Sequence, residues 1–132
     1  MSLSDQQFLY EFESKTLAPS EFGHFGHLRI AWLYLRQFSL EEAISKITNG
    51  ISAYATSLGA TEKFHHTMTE AIVRIMHRRL AANSFESLDE FLQQNKTLTG
   101  SMHELLYTYY SESLFNSKEA RKQFVEPDLK RL

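Results

Sequence analysis

Residues 24–38 run His24-Phe-Gly-His27-Leu28-Arg29-Ile-Ala31-Trp32-Leu-Tyr34-Leu35-Arg36-Gln37-Phe38, and this stretch decides the fold class. It is apolar nearly all the way round a helical wheel, the mark of a helix buried at the centre of a soluble bundle. At about 100° per residue, Leu28, Ala31, Leu35 and Phe38 define its most apolar side. His24 falls in the middle of that side and His27 near its edge, beside Tyr34. Arg29 and Arg36 share a separate stripe with Gln37. Trp32 and Leu35 are expected in the core. Two imidazoles at a buried helix start are costly unless paired, liganded or useful, so a site is expected here.

The flanking segments read as helices too. Ser4 with Gln7 forms a capping box that starts a first helix with Phe8, Leu9 and Phe12 on its apolar side, and Leu17-Ala18-Pro19-Ser20 stops it. Gly23 is expected to permit unusual backbone angles where the buried helix begins. Ser39 with Glu42 caps a third helix, in which Leu40, Ile44, Ile47, Ile51, Tyr54 and Leu58 recur every three or four residues before Gly59. Thr61 is expected to cap a fourth helix running to about Asn83. Phe64, Met68, Ala71, Ile72, Ile75 and Met76 make its apolar face. His65 lies at the margin of that face with Thr69 one turn on, whereas His66, Glu70 and His77 lie opposite and are expected outward.

Beyond Asn83 the elements shorten. Ser87 with Glu90, and Ser101 with Glu104, are expected caps of short helices. The tail Val125-Glu126-Pro127-Asp128 is extended by Pro127. With two prolines, five glycines and no alternating strand pattern, the fold class is all-α. The expected architecture is one domain over 1–132, a helical bundle. Four longer helices form its core over about 4–83, and the short C-terminal helices and tail of 84–132 pack over one end.

Composition narrows the function classes. Hydrophobic residues make 42% and charged residues 23% of the chain, a globular balance. A formal net charge of −2 gives no electrostatic reason to expect a nucleic-acid partner. With no cysteine, disulfides, thiol nucleophiles and Cys-ligated zinc are excluded. No apolar run resembles a signal peptide or has the length to span a bilayer, so a cytoplasmic location and no membrane partner are expected.

The strongest constellation is His24, His27 and His65. If the two helix starts lie at the same end of the bundle, the three imidazoles converge. They could then hold a divalent transition metal with an open position. Without a metal, they could bind an anion at the helix ends and act as acid and base. Alternatively, each caps a helix or satisfies a backbone carbonyl. Arg29 is either a clamp for a carboxylate or phosphate, or an arginine stacked on Trp32. Tyr109 and Tyr110, with Tyr107, either bring hydroxyls to a pocket or pack with wet hydroxyls. Glycine-rich phosphate loops, nucleophile elbows and the Glu-x-x-His and His-Glu-x-x-His metal motifs are absent.

Phe22-x-His24-x-x-His27-Leu28-Arg29-x-Ala31-Trp32-x-Tyr34-Leu35, Lys63-Phe64-His65-x-Thr67-x-Thr69, Tyr109-Tyr110-Ser111 and Phe124-x-Glu126-Pro127-Asp128 together resemble the signature of a small bacterial all-α family to which no activity is assigned. The resemblance spans most of residues 22–129. It implies a site position rather than a reaction, selecting His24, His27, Arg29, His65 and Thr69, with the tail folded back over them. His66 departs from the pattern, in which glutamate stands. Two functions follow as expectations. One is a small-molecule pocket lined by His24, His27 and His65, with Arg29, Thr69, Tyr109 and Tyr110 orienting the ligand. The other is a homodimeric, non-enzymatic interaction module with structural histidines.

Overall fold

A computed structural model describes residues 3–132; Met1 and Ser2 lie outside the described residues. Within them the chain is all-α, with nine α-helices, two short 3-10 turns and no strand. The helices are α1 (Asp5–Glu13), α2 (His24–Gln37), α3 (Leu40–Ser57), α4 (His66–Ala82), α5 (Leu88–Gln93), α6 (Thr97–Gly100), α7 (Met102–Tyr109), α8 (Glu112–Phe115) and α9 (Lys118–Lys122). None of the described helices is long and apolar enough to cross a membrane. The chain forms two compact units, one ending at Phe64 and the other spanning His65–Leu132. The sequence groups α4 with the first three helices, but it belongs with the short C-terminal ones.

In the N-terminal unit, α2 and α1 both pack against α3. Ser4 and Ser39 cap α1 and α3 as their spacing predicts, each hydroxyl accepting from the amide three residues on. The middle of α2 is covered all round, with Ile30, Ala31, Trp32, Leu33 and Tyr34 all buried. Leu35 is only half-buried and His24 is exposed, so the cover over the apolar side reaches Leu28 and Ala31 but not the two ends of α2. Gly23 has ordinary extended backbone angles. The glycine that matters is Gly26, where a Cβ would overlap the Glu21 carbonyl oxygen of the preceding 3-10 turn.

The end of α1 is unusual. Lys15 sits at φ 63°, in the left-handed region. Its N–H donates to the Phe12 carbonyl, and those of Thr16 and Leu17 donate to Glu11. This is the Schellman arrangement, whose left-handed position glycine normally fills. Leu17 then enters the core, and its carbonyl accepts from the buried Tyr54 hydroxyl.

In the C-terminal unit α4 packs against α9. Thr61–Lys63 is only a 3-10 turn, and α4 starts at His66 with His65 as its capping residue. Ser87 caps α5 as expected. Ser101 does not cap α7: its backbone is not extended, and its N–H closes α6 on Thr97. The tail crosses α4, because the Thr67 hydroxyl donates to the Gln123 carbonyl at 2.8 Å and accepts from the Val125 N–H at 3.2 Å.

A lysine forced left-handed costs about 1 kcal/mol relative to glycine. Lys15→Gly should therefore raise the equilibrium unfolding free energy by about that amount in a urea titration. A loss of stability would mean that the Lys15 side chain makes a contact that outweighs its backbone strain.

Candidate functional site

His24, His27 and Arg29 belong to the N-terminal unit. His24 lies exposed in the first turn of α2. The His27 Nδ1 donates to the Gly23 carbonyl at 2.8 Å, and the ring stands 4.3 Å from that of Phe22. Burial pushes the imidazole below its ordinary 6.5, opposed by the bond to Gly23 and reinforced by His24. Arg29 points at α1. Its guanidinium bonds Asp5 at 2.9 Å and the Leu3 carbonyl at 2.7 Å, and lies 4.3 Å from the Phe8 ring centroid. Arg36, not Arg29, stacks over Trp32.

His65, Thr69, Tyr109 and Tyr110 belong to the C-terminal unit. The His65 Nδ1 accepts from the Met68 N–H at 3.1 Å, and its Nε2 bonds the Phe115 carbonyl at 2.8 Å. An amide can only donate and a carbonyl only accept, so the ring is neutral with its proton on Nε2. Both nitrogens serve the backbone. The ring also stacks on Phe115 at 4.6 Å, and Tyr107, Tyr110 and His103 surround that phenyl. Thr69 spends its hydroxyl on the His65 carbonyl. Tyr110 is fully buried and donates to the Val125 carbonyl at 2.7 Å, while the Tyr109 carbonyl accepts from Leu129. Ser111 holds Asp128 through its N–H and its hydroxyl, which keeps that carboxyl below the usual range. These tyrosines fasten the tail.

Glu70, expected outward, is 7% exposed. One oxygen takes the His66 Nε2 at 3.1 Å, and the other is clasped by Arg74 at 2.9 and 3.0 Å. Arg74 in turn covers the Phe124 ring at 5.2 Å. A wheel assumes one covered face, whereas the tail covers a second face of α4. The i, i+4 spacing of His66 and Glu70 is visible in the sequence and reads there as a solvated face; Arg74 one turn on extends it into a ladder. Among the described residues, no group of three or more histidine, aspartate or glutamate side chains is arranged to hold a metal ion.

The N-terminal unit contains a half-open cavity of about 180 Å³ that sequence reasoning missed. Phe12, Glu13 and Lys15 line it from the end of α1, and Tyr34 from α2. Lys46, Gly50 and Ala53 of α3 complete it. The buried Tyr34 hydroxyl donates to Glu13 at 2.6 Å. Burial and the Glu13 carboxylate raise the Tyr34 pKa far above its ordinary value, so it remains a phenol. The Lys46 ammonium rides 4.7 Å from the Phe38 ring centroid. The lining combines an apolar floor, two lysines and one fixed hydroxyl–carboxylate pair. One sequence signal existed: no glycine lies between Glu13 and Pro19, so a side-chain-bearing residue had to close α1.

Burial is the main cause lowering the His65 pKa; the Phe115 bond opposes it, and Arg121 and His103 add to it. The unfolded chain therefore takes up the proton first on acidification. Stability should be full above about pH 6.5 and should decline as the pH falls through the lowered value. His65→Asn can still cap α4 but cannot titrate. Its unfolding midpoint should fall less than that of the unaltered protein between about pH 8 and about pH 5, a window above the carboxylate range. Parallel curves would place the proton uptake elsewhere.

Comparison of the chain with models of protein families, with characterised proteins and with solved structures returns no match.

Proposed function

We propose that the protein is a small-ligand-binding helical domain whose ligand occupies the cavity of α1, α2 and α3, and whose histidines serve the fold. The observation that carries this reading is Lys15. A chain that closes a helix with a strained lysine, where glycine would be unstrained, keeps a lysine in the cavity lining against its own stability. The histidines favour the same division of labour. Both ring nitrogens of His65 and the Nδ1 of His27 are occupied by backbone groups. Arg29, Thr69, Tyr109 and Tyr110 also spend their polar groups or carbonyls inside their own units.

A second reading, a homodimeric interaction module, is favoured by Tyr10 and Phe25, which are 65% and 51% exposed. Light scattering coupled to gel filtration tests it, and a monomer at every concentration would refute it.

The ligand reading is tested by saturation-transfer NMR with a set of acids, amides and alcohols of roughly ten heavy atoms, a size suited to the cavity. Ala53→Leu places a good helix former in the lining and fills the space. Compounds that bind the unaltered protein should lose their signal in this variant. Unchanged signals in Ala53→Leu, or no binder in the set, would contradict the reading.

A further inference from the structure

We infer that the cavity takes a compact monoanion, a carboxylate carried on a single apolar or aromatic body; this rests on the ligand-binding reading and adds the ligand's class. The charges of the lining set the sign. Lys15 and Lys46 supply two cations and Glu13 one anion, which leaves one positive charge. None of the ion pairs among the described residues uses either lysine. Glu13 is held to the wall by the Tyr34 hydroxyl, so it stays where it is rather than swinging across to neutralise them. The Phe38 ring steadies the Lys46 ammonium without cancelling its charge. A monoanion completes the neutralisation, whereas a second negative charge would face Glu13 with no cation left to pair.

The floor and the size set the body. The Phe12 ring lies where a Cβ on Gly50 would come within 2.9 Å of it. The absence of that carbon seats the ring flush with α3, and Ala53 leaves the adjoining space open. An apolar cavity of about 150 Å³ admits benzene. The volume of about 180 Å³ therefore suits one ring with a carboxyl group.

Benzoate and its neutral isostere benzamide separate this class from the ligand-binding reading beneath it. In isothermal titration at low salt, benzoate should bind roughly fivefold more tightly than benzamide, the discrimination that two solvent-exposed ion pairs supply together. The difference should shrink at about 1 M salt, where the screening length is about 3 Å. Lys46→Gln removes one of the two pairs and should cut the difference to roughly twofold. Glu13→Gln keeps an acceptor for Tyr34 and removes the opposing charge, so it should tighten benzoate and leave benzamide unchanged, a gain that a damaged fold does not produce. Ala53→Leu should abolish both. Equal affinities for the two probes would overturn the carboxylate assignment while leaving a ligand site in place. Benzoate binding undiminished by Ala53→Leu, or neither probe binding the unaltered protein, would overturn both readings.

Discussion

The Phe12 ring occupies the space that a β-carbon at residue 50 would need, and the N-terminal unit is built on that contact. Because Gly50 has no side chain, α1 can lie close against α3. The ring then stacks on Phe22 at 6.2 Å and tilts against Tyr54 at 6.0 Å. Tyr54 reaches past it to hold the Leu17 carbonyl. The chain must therefore reverse sharply between Phe12 and Leu17, and the left-handed Lys15 makes that reversal. A glycine in mid-helix weakens α3 by about 1 kcal/mol. Here it permits an aromatic cluster and leaves an open space beside it.

The C-terminal unit depends on a different device, a neutral histidine read by two backbone groups. His65 ends one segment of chain and caps the next while its far nitrogen holds α8 through Phe115. Thr67, two residues on, clips the tail from both sides. Tyr110 and Ser111 fix the tail again at Val125 and Asp128. Beneath it, the Glu70 carboxylate is buried but bonded by Arg74 and by the His66 Nε2, the pairing under which a buried charge is tolerated. Removing Arg74 would leave that charge without its bidentate partner, which is costlier than never having had the pair.

Local physics made the helices legible. Ser4, Ser39 and Ser87 cap because a hydroxyl one residue ahead of a helix reaches an amide three residues on, whatever the surroundings. The long apolar runs of α2 and α3 were readable for the same reason. Non-local geometry defeated the rest. Thr61 looked like the cap of α4, but the carbonyl that orients His65 lies 50 residues further along the chain. Glu70 looked solvated because nothing in the spacing of α4 says that the tail returns over it. The cavity depends on where α1 packs against α3, which no periodicity reports. Of the three histidines that the spacing marks, His27 and His65 bond backbone groups, and His24 is exposed.

In the proposed division of labour, ligand recognition belongs to the α1–α3 cavity and the histidines belong to the fold. A benzoate titration followed by two-dimensional amide NMR of the assigned protein tests it directly. The largest saturable shifts should fall at Lys15, Gly50 and Ala53, with the amides of 24–29, 65–69 and 109–110 little changed. Saturable shifts concentrated at His24, His27 or His65 instead would contradict the claim and return the site to the imidazoles.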